Sequence, residues 1–223
     1  MSDLESGREF DLEASLKPDR PKGLPRFLQL DRLINRPLAT VIVRAVLKTG
    51  LRPNHLTVAA FVISAAGAGA FLGGTRRSFI LAAVLIYAGT VLDGADGMLA
   101  RARGQCSAFG SHLDLFLDRI IDFSIFAGIA LGASRHFQAP HLLALGLLAT
   151  GLYQLQIILF YLTKSYLKSE ERGDTGEARA LLYWLVLIFA VTSRLDIFIY
   201  LLLAETVVLN TFRLGYFISL SNR

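Results

Sequence analysis

The sequence has a single cysteine, Cys106, in 223 residues. An intrachain disulfide is therefore impossible, and a cysteine-based metal cluster is excluded with it. Charge is scarce too: 18% of residues are Asp, Glu, Lys or Arg, against 53% hydrophobic, and mean hydropathy is +0.50. A soluble domain carries about a quarter of its residues charged, so this balance points to an integral membrane protein. Residues 1 to about 22 mix acids and bases without an apolar run, which reads as an exposed tail over 1–26 rather than a cleavable signal peptide. Also missing is a basic stripe interleaved with aromatics. The net charge of +5 is scattered along membrane-flanking segments, which argues against nucleic acid and for anionic lipid headgroups as the partner.

What is present is a series of long apolar runs, at about 55–74, 79–100, 108–133, 140–163, 178–193 and 196–219. They predict an all-α integral membrane bundle of six transmembrane helices, the fifth being short for the roughly 20 residues a bilayer requires. Ahead of them, Leu30, Leu33, Ile34, Leu38, Val41 and Ile42 recur at helical spacing, with Arg32, Arg36, Arg44 and Lys48 on other faces. This predicts an amphipathic interfacial helix over 27–48, bent near Pro37, opening a single membrane domain over 27–223. The stretch Ser64–Ala70 offers a small-residue face for close helix packing. Ten basic residues precede position 53, and Lys164, Lys168, Arg172 and Arg179 cluster in one later loop. The positive-inside rule then places both termini, and the loop holding Arg101 and Arg103, in the cytoplasm.

Acid sits where a membrane protein should have none. Between Asp93 and Asp118 the chain reads DGADGMLARARGQCSAFGSHLDLFLD. In a helix Asp93, Asp96, Gly97, Ala100 and Arg101 share one stripe, and Gly110, Asp114 and Asp118 repeat the pattern at steps of four. A bare aspartate at mid-membrane costs about 3 kcal/mol, so four would cost about 12. Arg101 alone does not neutralise four carboxylates, whereas two divalent cations with all-oxygen ligands fit both charge and spacing. The competing reading is a salt-bridge cluster with Arg101, Arg103 and Arg119. Asp122, one turn beyond Asp118, reads as structural, paired with Arg119 or another cation. His112 lies off the acidic stripe and reads as a packing residue. Gln154, Gln156, Glu205, Asn210 and Arg213 read as interhelical hydrogen-bonding groups, with Arg213 a further candidate for an anionic headgroup.

The pattern D-x2-D-G-x2-A-R-x8-G-x3-D-x3-D is met at every specified position, and Pro53, Asn54 and Thr57 match a P-N-x-x-T stretch ahead of it. Together these resemble the CDP-alcohol phosphotransferase family over most of the chain from about residue 27. The resemblance implies transfer of a substituted phosphate from a CDP-linked donor, with CDP-diacylglycerol preferred, to an alcohol acceptor with release of CMP, in phospholipid synthesis. It implies that Asp93, Asp96, Asp114 and Asp118 hold two Mg2+ or Mn2+ ions, and that Asp118 is also the base. Gly97, Arg101, Ser107, Gly110, Asn54 and Thr57 would serve the CDP donor, and Lys164, Lys168, Arg172, Arg179 and Arg213 are candidates for the acceptor. A homodimer is implied as well. The loop from Phe160 to Trp184 departs from the family in lacking a compact Arg-Ala-Arg-Ala-Glu run, which leaves the acceptor and the alternative transfer of a headgroup phosphate to a lipid alcohol open. Outside the enzyme class stand a divalent-cation transporter and a noncatalytic membrane scaffold. The sequence shows no inverted-repeat pattern for the first, and the second does not require four acids.

Overall fold

The computed structural model of the protein describes residues 31–166 and 175–221. A π-helical turn, Asp31–Asn35, runs into α1, Arg36–Val46. Six longer helices follow: α2 (Pro53–Phe71), α3 (Arg76–Ala102), α4 (Ala108–His136), α5 (Pro140–Tyr166), α6 (Thr175–Val191) and α7 (Leu195–Ser221). No strand occurs among the described residues. The tail and the start of the expected first helix lie outside them.

Local sequence explains where the elements begin and stop. Pro37 lacks an N–H and its ring crowds the carbonyl four residues back, so the widened turn falls just before it, where a bend was expected. Pro53 occupies the first turn of α2, where a missing donor costs nothing. Thr75 caps α3, its hydroxyl accepting from Ser78 N at 3.2 Å while Ser78 Oγ accepts from Thr75 N at 3.0 Å. The sixth helix ends at Val191, two residues earlier than the apolar run suggests. Ser193 takes a left-handed φ of 57°, and the N–H groups of Ser193 and Arg194 turn back to Ala190 and Phe189.

Helices α2 and α3 pack most extensively, and α2 also lies along α4. The small-residue face of α2 makes this possible: a Cβ on Gly128 of α4 would stand 2.6 Å from the Ala68 carbonyl oxygen, and one on Gly67 would stand 2.8 Å from Ile86. The main core gathers Phe71, Phe79, Ile86, Ile125, Phe126 and Phe198, all essentially inaccessible. A smaller one seats Ala39 and Val43 of α1 on Val91, Ala95, Met98 and Leu99 of α3. The other side of α1 leaves Leu38 and Val41 exposed, as is Leu33 in the π-helical turn before it.

Among the described residues four helices, α2, α3, α5 and α7, are long and apolar enough to cross a membrane. With the family identified below, they mark an integral membrane protein. Helix α4 is longer than α2 but carries Asp114, Asp118, Arg119 and Asp122 in its first half, and α6 has an apolar stretch of only Ala178–Val191. Polar groups inside the bundle are paired between helices as expected: Gln154 Nε2 donates to Arg119 O at 3.1 Å, Gln156 Nε2 to Glu205 at 3.1 Å, and Asn210 Nδ2 to Leu152 O at 2.8 Å.

Candidate functional site

The acidic stretch folds as the end of α3, a tight turn and the start of α4. Helix α3 stops through a left-handed Gly104, φ +62°, with Gly104 N bonded to Arg101 O and Gln105 N to Ala100 O. Ser107 then starts α4 by accepting from Gly110 N at 3.0 Å. The two motif helices make no extended contact with each other; α2 lies against both, and α6 lies against α3. Of the motif acids, Asp93 and Asp118 line a cleft between the helices.

Asp93, Asp114 and Asp118 each offer an oxygen, and the three lie within 4.8 Å of one another. Asp96 is placed differently. It is buried, and its carboxylate accepts a short hydrogen bond from the Thr57 hydroxyl of α2. Thr57 also donates toward Pro53 O at 3.3 Å, which fixes the hydroxyl in the first turns of α2. Three acids converge, and the fourth ties α3 to α2.

Arg179 of α6 enters this cluster across a separation that the sequence pattern does not reveal. Its NH1 stands 2.5 Å from Asp118 and 3.8 Å from Asp93, while Nε lies 3.2 Å from Asp122. Asp122 is fully buried, with Arg119 NH2 at 2.9 Å and the Tyr183 hydroxyl donating a short bond to it. The expected pairing of Asp122 with Arg119 is present, with two partners beyond it, Arg179 and Tyr183. Sequence reasoning placed Arg179 with the acceptor candidates in a cytoplasmic loop, and missed that it supplies a cation to the acids. The signal available was its position four residues before Tyr183, on the face that α6 turns toward the cleft. Of the arginines in the competing salt-bridge reading, Arg119 goes to Asp122, and Arg103 goes to backbone carbonyls of the loop after α1.

The glycines lie beside the acids. A Cβ on Gly97 would meet only the Arg101 guanidinium, at 3.3 Å, so Arg101 folds back along its own helix over an open surface. A Cβ on Gly110 would lie 3.1 Å from Ser107 Oγ and 3.7 Å from Asn54 Oδ1. The start of α2 thus bonds α3 through Thr57, and Asn54 lies near Gly110 of α4. Asp31, Thr57, Ser64, Thr90 and Tyr183 join Asp93, Asp118 and Arg179 in lining the cleft. Lys164, in the last turn of α5, and Arg213, bonded to Gln156 O at 2.8 Å with its guanidinium 5.5 Å from the Phe160 ring centre, do not. Lys168 and Arg172 fall outside the described residues.

These donors suit a hard divalent cation. Oxygen ligands around Mg2+ or Mn2+ stand about 3 Å apart when adjacent and about 4 Å when opposite. Carboxylates within 4.8 Å of one another need only a small closing movement, and the side of Gly97 leaves room for a ligand with oxygens of its own.

Comparison with known proteins agrees with this arrangement. A sequence model of the CDP-alcohol phosphatidyltransferase family matches residues 51–212. Archaetidylinositol phosphate synthase of Pyrococcus horikoshii is 36% identical over 113 residues, 51% of this chain and 58% of that one. Phosphatidylinositol phosphate synthase of Mycobacterium tuberculosis is 29% identical over 147 residues, 66% of this chain and 65% of that one. The alignments thus span less than two thirds of these relatives. The crystal structure of that Mycobacterium tuberculosis synthase with CDP-DAG bound superimposes with a TM-score of 0.65 at 26% identity, covering 80% of this chain and 92% of that one. With the family match extending from the start of α2 into α7, and the motif acids meeting between helices, the chain belongs to the CDP-alcohol phosphatidyltransferase family.

Proposed function

We propose that the protein transfers a phosphatidyl group from CDP-diacylglycerol to an alcohol, releasing CMP. The convergence of Asp93, Asp114 and Asp118 from two helices, beside glycine-opened surface, carries the reading. The likeness to a synthase with CDP-DAG bound supports the choice of donor. The relatives' names point to a phosphorylated polyol as the acceptor class to test first.

Asp93, Asp96, Asp114 and Asp118 would hold two divalent cations, Mg2+ or Mn2+, Asp96 turning from Thr57 to do so. When bound, such ions supply positive charge to the pyrophosphate oxygens and to the leaving CMP. Arg101 stabilises charge on the nucleotide phosphates, and Gly97 and Gly110, with Asn54, Ser107 and Thr57 around them, leave space for the nucleotide. Asp118 takes the proton of the attacking hydroxyl, and Arg179, beside it, restrains that carboxylate. Lys164, Lys168, Arg172 and Arg213 are the remaining candidates for an anionic acceptor.

At the level of the molecule, we read α4 and α6 as spans alongside the four apolar helices. Together they make six, with α1 lying in the headgroup layer. The active site faces the cytoplasm, and two copies associate as a homodimer. The test is direct. Purified protein incubated with CDP-diacylglycerol and a panel of alcohols should release CMP only when a divalent cation and the right alcohol are present. Absence of CMP with every alcohol and with both Mg2+ and Mn2+ would refute the reading, and divalent-ion flux into vesicles without CMP would favour transport instead.

A further inference from the structure

Arg103 caps the C-terminal end of α3, just before the left-handed Gly104, and the turn's backbone hydrogen bonds fix where its side chain starts. Its guanidinium reaches back to α1 and the loop that follows. NH2 lies 2.8 Å from Val46 O, 2.7 Å from Leu47 O and 2.8 Å from Thr49 O, while NH1 donates a short bond to Leu51 O. Leu47 caps α1 and its carbonyl has no next helical turn to accept from, while Val46 O, which already accepts from Thr49, takes a further donor. A guanidinium there satisfies them and suits the negative end of the helix dipole. The other bonds within the loop are few: Thr49 N and Oγ1 to Val46 O, and Leu51 N to Thr49 Oγ1. One side chain therefore holds most of residues 46–51 to the end of α3.

That loop leads directly into Pro53, and from there into Asn54, which lies near Gly110 of α4, and Thr57, which bonds Asp96 of α3. We propose that Arg103 is a positioning residue that locks the first turn of α2 against the end of α3, pre-assembling the nucleotide side of the cleft without touching substrate. The nucleotide assignment rests on the function proposed above; the lock itself does not. A lysine cannot take over the role, because a single ammonium on a flexible stem lacks the planar fork that spans the carbonyls of Val46, Leu47, Thr49 and Leu51.

The test uses the full chain in nanodiscs, comparing wild type with Arg103→Gln and Arg103→Lys. Amide exchange over 46–57 should accelerate in both variants, with exchange in α5 and α7 unchanged. Affinity for CDP-diacylglycerol should fall about tenfold, the scale of a lost charge-assisted hydrogen bond. The KM for the donor should rise with it, and turnover at saturating donor should change much less. Arg103→Lys is the milder variant and carries the test if Arg103→Gln misfolds. Unchanged exchange over 46–57, unchanged donor affinity, or full recovery with lysine would each overturn the proposal. Wild-type protein that binds no CDP-linked donor would instead sink the proposed function, and the exchange comparison would still decide whether Arg103 locks the loop.

Discussion

Asp118 and Asp122 stand one helical turn apart and share Arg179, yet their surroundings assign them different work. Asp122 has no exposed surface and is held by Arg119, Arg179 and Tyr183, so it resembles a buried ion pair in a core. Removing one partner of such a group leaves uncompensated charge, and Asp122→Ala should cost about 3–5 kcal/mol of stability. Thermal unfolding in detergent checks this, and turnover per folded molecule should fall less than the folded yield does. Asp118 keeps 19% of its side chain exposed in the cleft, 2.5 Å from Arg179. Asp118→Asn preserves size but removes the proposed proton acceptor, and turnover should drop by about a hundredfold or more, the scale of general base catalysis. Donor affinity should fall less. Near wild-type turnover at saturating metal would pass the base role to another group. Asp93→Ala and Asp114→Ala break the oxygen cluster itself. Both should abolish CMP release, and titration with Mn2+ read by its spin signal should show weakened binding independently of activity.

Helix packing shows which of these features a sequence reveals and which it does not. The acids and glycines of the motif are legible because they repeat at helical spacing within one hairpin, where distance along the chain and distance in space agree. Arg179 is not: it reaches Asp118 across 61 residues of sequence, and only the fold brings α6 to the cleft. The placement of Asp96 escapes the pattern for the same reason, since its partner Thr57 lies on α2. The small-residue face of α2 is legible as a packing surface, but not which helix covers it. Here α3 and α4 both do, so glycines on different faces make opposite predictions. Gly128→Ala would drive a Cβ to 2.6 Å from the Ala68 carbonyl oxygen, and should cost about 1–3 kcal/mol as the helices part. Gly69→Ala meets nothing within 4 Å on an exposed face of α2, and should be neutral or stabilising by up to about 1 kcal/mol. Melting curves of the two variants, side by side, check the sign.

Orientation belongs to the whole molecule, because it follows from which ends of the helices share a side. The Asp93–Asp118 hairpin, the loop after α1 and the N-terminal part of α6 with Arg179 meet at one end of the bundle, joined by the Arg103 and Arg179 contacts. At the opposite end, Arg135 NH1 donates to Leu72 O at 2.6 Å, joining the end of α4 to the turn between α2 and α3. Among the described residues the first end carries the greater share of the basic ones, so the positive-inside rule predicts that it faces the cytoplasm. The chain carries a natural probe of this assignment. Cys106 is exposed in the turn between α3 and α4, and the sequence has no other cysteine to compete with it. A membrane-impermeant maleimide should leave Cys106 unmodified in intact cells and modify it once the membrane is permeabilised. Arg77→Cys, introduced into a Cys106→Ser background at an exposed position on the far side, should react in intact cells. Modification of Cys106 from outside sealed cells, together with protection of position 77, would invert the topology. It would also separate the cleft from the compartment in which CTP-derived donors are made.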